Sequence, residues 1–147
     1  MARYISSEIN INRPPQEVWD ILTDLDAFDS WNPFIVRAEG DVEPGAHLTI
    51  TTKASGKTFT LHPRITECLP GRAFGWTGRL AGVPGLFTGE HHHELRATAS
   101  GTRYIQTENF TGVMVPFVGK AIIETEAAFD RMNEALKARA EAKGPAR

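Results

Sequence analysis

A stripe of mostly apolar side chains recurs at steps of four and three near the end of the chain. Its members are Val118, Ile122, Thr125, Phe129, Met132 and Leu136. Charged residues, among them Lys120, Glu124 and Arg131, fall on the opposite side. This spacing predicts one amphipathic helix from about residue 116 to residue 143, which Gly144 and Pro145 would end.

Earlier in the chain, alternating patterns and turn residues predict strands. The first runs over 4–12, and Pro14-Pro15 then begins a helix through Leu22, followed by a short helical turn after Asp24. Six further strands follow at about 34–40, 46–53, 58–68, 72–80, 86–98 and 102–112. This order predicts an α+β fold in which a curved seven-stranded antiparallel sheet grips the last helix. A strongly curved sheet that grips such a helix can leave a space between the two, and there we look for function.

Composition narrows the class of protein. A length of 147 residues predicts one domain over 1–147 with a core of its own. The net charge is −2 and the basic residues are dispersed, which argues against nucleic acid and membrane surfaces as partners. A single cysteine, Cys68, excludes an intramolecular disulfide and favours the cytoplasm. The first residues lack the apolar segment of a signal peptide, so none is expected.

Four local patterns accompany the element order. They are Pro14-Pro15-Gln16-Glu17-Val18-Trp19 with Leu22 and Asp24, Trp31-Asn32-Pro33-Phe34, Ile65-Thr66-Glu67-Cys68-Leu69-Pro70-Gly71, and Gly101-Thr102 with Gly112. With them the chain resembles, over essentially its whole length, the START/Bet v1-like superfamily. Within that superfamily it resembles the SRPBCC group, which contains polyketide cyclase/dehydrase-like proteins. The resemblance implies a helix-grip fold with two short helices after the first strand and an internal cavity. Members include lipid and hormone binders, cyclases, aromatases and chaperone-interacting domains, so the fold leaves function open.

Our first hypothesis is a binding protein for a small apolar or aromatic molecule, because the candidate cavity is lined by apolar side chains with few polar groups. Core packing explains many of the same residues equally well. The predicted lining residues are Phe59, Leu61, Phe74, Trp76, Phe87, His91, Gln106, Phe110, Ile122, Thr125 and Phe129. Apolar residues in two connections predict a cavity mouth, formed by Leu80, Val83, Leu86, Val113, Met114 and Phe117.

The second hypothesis is an enzyme that resembles polyketide cyclases or dehydratases and transfers a proton α to a carbonyl. A two-residue turn at Ser100-Gly101 sets His93 opposite Glu108 and points both inward as an acid–base pair. A three-residue turn over 99–101 instead pairs His92 with Glu108 on the solvent face. We favour the first turn because it points Leu95 inward. A third hypothesis is a protein-interaction module, for which the sequence marks no interface.

Three adjacent histidines, His91 to His93, raise the question of a metal site. On a strand only His91 and His93 share a face, and Glu108 is the one further ligand in view, whereas zinc usually takes three or four. We therefore predict no metal. The glycine-rich segment 78–89 lacks the strand and helix that flank a phosphate-binding loop, so no cofactor is expected. Ile123 lies opposite the helix stripe, and we expect a monomer or a weak homodimer.

Overall fold

The computed structural model describes residues 2–54 and 56–142. It has the predicted order of one strand, a helix and a helical turn, further strands and a long last helix. The elements are β1 (Ala2–Ile11), α1 (Pro15–Leu22), β2 (Ile35–Glu39), β3 (Thr49–Ala54), β4 (Lys57–Leu61), β5 (Arg64–Leu69), β6 (Ala73–Arg79), β7 (Thr88–Thr98), β8 (Gly101–Thr111) and α2 (Gly119–Glu141). Short 3-10 helices cover Leu25–Ser30, Leu80–Gly82 and Val115–Phe117. The predicted α+β helix-grip fold is confirmed.

The strands form two antiparallel sheets rather than one of seven strands. The order is β1-β8-β7-β6-β5 in the larger sheet and β2-β3-β4 in the smaller. The predicted strand 58–68 is divided into β4 and β5 around Pro63, which has no N–H to donate to a ladder. Its carbonyl instead accepts from the Leu48 N–H at 2.8 Å, and the Ile65 N–H donates to the Ala46 carbonyl at 2.8 Å. These two bonds connect the smaller sheet to the larger one.

The last helix begins three residues later than predicted. Pro116 belongs to the separate 3-10 helix Val115–Phe117, and Val118 has non-helical backbone angles. The predicted end at residue 143 and the stop at Gly144-Pro145 lie outside the described residues. The predicted stripe packs mainly against β1, with Thr125 only half-buried. Its fully buried members are Ile122, Phe129, Met132 and Leu136. In the described part of the chain, no helix is both long and apolar enough to cross a membrane.

Residues 14–35 close one end of the grip. Helix α1 begins at Pro15, where a missing N–H costs nothing, and buries Val18, Trp19, Ile21 and Leu22. The side-chain oxygen of Asn32 then accepts the backbone N–H groups of Phe34 and Ile35 at 2.9 and 2.8 Å. These bonds hold the start of β2, so that the Phe34 ring lies 5.6 Å from the ring of Phe129 on α2.

The turn between β7 and β8 differs from both predicted turns. Thr98 pairs with Gly101, which leaves Ala99 and Ser100 as the two turn residues. Gly101 is instead a strand residue, and a side chain there would collide with the backbone of Ile11 and Arg13. This close approach to the end of β1, rather than a turn, is what requires glycine.

Candidate functional site

The inner face of β7 and β8 carries polar side chains into the grip. Alternation along a strand sends every second residue inward. From β7 these are Gly89, His91, His93 and Leu95, and from β8 they are Tyr104, Gln106, Glu108 and Phe110. The predicted opposition of His93 and Glu108 is wrong, because the observed register pairs His91 with Glu108 and His93 with Gln106. Both the predicted and the observed turns have two residues, so the inward face is the same and only the partners change.

His91 lies at the centre of this face. Its Nε2 is 2.9 Å from Gln106 Oε1, and its Nδ1 is 4.0 Å from Glu108 Oε1. The ring stacks on Phe129, with centroids 4.7 Å apart, and meets the edge of Trp76 at 4.9 Å. Burial therefore lowers the pKa of His91 from 6.5 to about 3, so this imidazole is neutral at physiological pH.

His93 has one ring nitrogen paired and one free. Its Nδ1 lies 2.6 Å from the Tyr104 hydroxyl, whereas Nε2 is buried without a hydrogen-bond partner among the described residues. Burial holds the pKa of His93 well below 6.5 and raises the pKa of Tyr104 well above 10, so both are neutral. If Tyr104 donates to Nδ1, one donor, the Nε2–H, is left over; the reverse leaves the phenol proton and the Nε2 lone pair both unpaired. The first arrangement costs less, and it leaves an unused donor inside the protein.

Glu108 is a carboxyl group held mostly away from water. Its side chain keeps 14% of its exposure, and in residues 2–54 and 56–142 it accepts no hydrogen bond within normal distance. Burial raises the pKa of Glu108 from 4.5 to about 8. With this pKa the carboxyl is largely protonated at neutral pH.

Gly89 makes room for the Glu108 carboxyl. A Cβ at position 89 would collide with Glu108 Oε2 and would lie 3.6 Å from Phe110. We expect Gly89→Ala to push the carboxyl toward solvent and so to lower the pKa of Glu108 toward its ordinary value, as read from a ¹³C NMR titration of that carboxyl. Gly78→Ala is the matched control, since Gly78 pairs with Gly89 and its added Cβ would come no closer than 3.9 Å, to Pro63. An unchanged Glu108 pKa in Gly89→Ala would contradict this role of the glycine.

Four stacked rings fill the middle of the grip. In order they are Phe74, His93, His91 and Phe129, with successive centroids 4.5, 4.3 and 4.7 Å apart. We call this set the ring column. The predicted internal cavity is accordingly not confirmed, because these side chains occupy the space between the larger sheet and α2. Two surface depressions of about 510 and 200 Å³ lie elsewhere, the larger beside Lys53 and Arg131 and the smaller beside Asp24 and Arg139.

The predicted lining residues divide into three groups. Phe74, Trp76, His91, Gln106, Phe110, Ile122 and Phe129 are buried in the grip, whereas Phe87 and Thr125 are half-buried. Thr125 Oγ1 donates to the Ala121 carbonyl of its own helix. Phe59 and Leu61 are a correction, because the structure leaves them 55% and 44% exposed. They lie on β4, at the edge of the smaller sheet, and every residue of that strand is exposed.

The predicted mouth segments meet at one end of β7 and β8. The backbone N–H groups of Val113 and Met114 donate to the carbonyls of Gly85 and Leu86 at 3.1 and 3.0 Å. The rings of Phe87 and Phe110 stack just inside, 5.5 Å apart. Leu80, Val83, Val113 and Phe117 are exposed, and Leu86 and Met114 are half-buried. Glu108, paired with His91, lies three residue pairs inward from Thr88 and Thr111 at this end of the strands, and His93 lies deeper.

The histidine run has the geometry predicted for a strand. His91 and His93 face inward together, while His92 faces outward, with its Nδ1 3.5 Å from Glu67 Oε2. Across the part of the chain that the structure describes, no three His, Cys, Asp or Glu side chains are placed to hold a metal ion.

Sequence reasoning missed three polar groups that contact this site: Tyr104, Asn133 and Ser7. Tyr104 shares the inward alternation of Gln106, so its position was readable from the pattern. Asn133 is one residue past Met132 and four past Phe129, within the buried stripe of α2, where a lone amide needs a partner. Its partners, Gln106 Nε2 at 2.7 Å and Ser7 Oγ at 2.8 Å, come from β8 and β1. Contacts between residues so far apart in the chain cannot be predicted from a local sequence pattern.

The fold and the inward polar cluster define a helix-grip domain with a buried histidine and carboxyl face. The chain belongs to the polyketide cyclase/dehydrase and lipid transport family, whose model matches residues 3–141. This confirms the predicted family. Among curated proteins, no sequence match was found.

Solved structures support the same fold. The Zhui aromatase/cyclase from Streptomyces sp. R1128 superimposes with a TM-score of 0.80 at 15% identity, over 99% of this chain and 98% of that one. Protein MLL2253 from Mesorhizobium loti gives 0.76 at 19% identity, over 98% and 100%. Ara h 8.0201 gives 0.72 at 15% identity, over 97% and 99%. At these identities the similarity establishes the architecture.

Proposed function

We propose that this protein binds a small, largely apolar molecule that carries a carbonyl group, and that the carbonyl oxygen accepts hydrogen bonds from His93 and Glu108. The observation that carries the proposal is the buried Nε2 of His93, which has no hydrogen-bond partner among the described residues and which carries the proton when Tyr104 donates to Nδ1. Protonated Glu108 is a second donor on the same face, and both groups flank His91. A carbonyl oxygen has two lone pairs, so it can accept from two donors.

The ligand would enter between the mouth segments, residues 78–89 and 112–117. The ring column fills the grip in the structure, so binding requires these segments and the adjacent Phe87 to move. Phe87 and Phe110 offer the first apolar contacts, and Trp76 beside His91 offers the next. Aromatic walls with a few convergent polar groups are typical of small-molecule sites.

A matched pair of probes tests the carbonyl. The ketone 2-tetralone and the hydrocarbon tetralin have nearly the same shape, and only the ketone accepts hydrogen bonds. We expect the ketone to bind about fivefold more tightly in NMR titrations, because one added hydrogen bond contributes roughly 1 kcal/mol. The double variant His93→Phe with Tyr104→Phe removes one donor and its partner together, so it should reduce this preference to what the Glu108 carboxyl alone supports.

The control for that variant is His47→Gln, at an exposed histidine outside the grip, which should keep the preference for the ketone. Equal affinities of the two probes for the unaltered protein would contradict carbonyl recognition. Failure of both probes to bind would contradict a binding site for such molecules in the grip.

The second candidate is an enzyme that moves a proton α to the bound carbonyl, as the family name and the likeness to an aromatase/cyclase suggest. Glu108 favours it, since a carboxyl with a pKa of about 8 can take up and return a proton near neutral pH. His91 and His93 are too weakly basic for this task, and His93 would instead hold the carbonyl oxygen. Exchange of the α-hydrogens of 2-tetralone in D2O, followed by NMR, separates the candidates. An enzyme accelerates this exchange and Glu108→Gln removes the effect, whereas a binding protein leaves the exchange rate unchanged.

A further inference from the structure

A chain of buried hydrogen bonds connects His91 to the surface of α2. From the inside outward it runs through Gln106, Asn133 and Ser7 to Asp130, and the first three of these are buried. Asp130 itself is exposed. The chain joins three elements, β8, α2 and β1, and it ends on the imidazole that faces Glu108.

Asp130 determines which way each bond in this chain points. A carboxylate oxygen can only accept, so the Ser7 hydroxyl must donate its one proton to Asp130. With that proton used, Ser7 Oγ can only accept from Asn133, which places Asn133 Nδ2 toward Ser7, at 2.8 Å. The Asn133 oxygen is then turned toward β8.

The next two bonds fix the orientation of the Gln106 amide and the tautomer of His91. Asn133 Oδ1 accepts from Gln106 Nε2 at 2.7 Å, so the Gln106 oxygen must face His91, at 2.9 Å from Nε2. An oxygen there requires a proton on Nε2. His91 is neutral, so its other nitrogen, Nδ1, carries only a lone pair, and this lone pair faces Glu108 Oε1 at 4.0 Å.

We propose that Asp130, acting through Ser7, Asn133 and Gln106, holds His91 in the tautomer with its proton on Nε2, and that it thereby keeps the Glu108 carboxyl protonated as a donor. Asp130 is thus a positioning residue, and its value to the protein rests on the function proposed for Glu108 above. The opposite tautomer would point an N–H at Glu108 and stabilise the carboxylate, which cannot donate to a carbonyl. The other titratable groups near His91 are His93, stacked on it, and His92, on the outer face.

The test is the tautomer of His91 in the ligand-free full chain. Long-range ¹H–¹⁵N correlation of histidine-labelled protein at neutral pH distinguishes a protonated from an unprotonated ring nitrogen. We expect Nε2 protonated and Nδ1 unprotonated in the unaltered protein. Asp130→Ala should shift the tautomer ratio toward Nδ1–H by about tenfold or more, because a hydrogen bond to a charged group carries that much free energy. The ¹³C signal of the Glu108 carboxyl should move toward its ionised position.

Two further variants test whether Asp130 acts through Ser7 and whether the effect is specific to Asp130. Ser7→Ala removes the relay hydroxyl, so it should reproduce the shift, and combining it with Asp130→Ala should add nothing, since both break one chain. Glu134→Ala is the matched control, because Glu134 is another exposed acid on α2, four residues along, outside the chain. It should leave the tautomer unchanged.

An Nδ1–H tautomer in the unaltered protein, or an Asp130→Ala spectrum identical to it, would overturn the proposal. The tautomer is read without ligand, so the two proposals fail separately. A tautomer that responds to Asp130 in a protein that binds neither tetralone nor tetralin would refute the proposed function alone.

Discussion

Replacing Phe129 with alanine should lower the free energy of unfolding by about 3–5 kcal/mol. The ring has no exposed surface, stacks on His91 at 4.7 Å and meets Phe34 at 5.6 Å. Phe129 is the member of the ring column that lies on α2. Removing its ring therefore leaves a cavity between α2 and the sheet. Urea unfolding followed by circular dichroism measures the change.

Phe117→Ala is the control for Phe129→Ala. Phe117 is 79% exposed, and truncating it should change the free energy of unfolding by no more than about 0.5 kcal/mol. A loss of less than about 1 kcal/mol in Phe129→Ala would mean that the ring already borders empty space, as the predicted internal cavity requires. The large loss would instead confirm that the helix is packed onto the ring column.

Glu108→Gln should change how stability depends on pH. The folded protein holds the Glu108 proton up to a pKa of about 8, whereas the unfolded chain releases it near 4.5. Between these values the folded state binds more protons, so rising pH destabilises the unaltered protein by up to about 1.4 kcal/mol per unit. Glutamine cannot ionise, so the variant escapes this loss, and its stability relative to the unaltered protein should grow from about pH 5 to pH 8.

Subtracting the stability of the unaltered protein from that of Glu108→Gln at each pH isolates the contribution of the Glu108 carboxyl. Buried neutral histidines act in the opposite direction, since a lowered pKa makes stability rise with pH up to about 6.5, but His91 and His93 remain in both proteins. Glu90→Gln, at an exposed position on β7, should show no growing difference. A Glu108→Gln difference that stays constant from pH 5 to pH 8 would mean that the carboxyl is not buried as a neutral acid.

Sequence patterns predicted which side chains face inward more reliably than they predicted partners. Alternation placed His91, His93, Gln106 and Glu108 on one face of the sheet, because the period of a strand is two whatever its neighbour. The predicted register of β7 and β8 was wrong. Turn propensity placed Gly101 in the turn, whereas in the structure Gly101 lies on β8, where the backbone at the end of β1 comes too close for a side chain. The single strand predicted over 58–68 was also wrong, because the chain passes from one sheet to the other at Pro63.

The amino-acid sequence by itself determined the order of elements, the buried stripe of α2 and the inward face of β7 and β8, because local periodicity carries these features. Only the tertiary structure decided that rings rather than empty space fill the grip, and that Glu108 lies opposite His91. It also decided the hydrogen-bond chain from His91 to Asp130, two of whose bonds join residues more than 120 positions apart. Such contacts depend on the relative placement of β1, β8 and α2, which the packing of the whole core sets and no local pattern records.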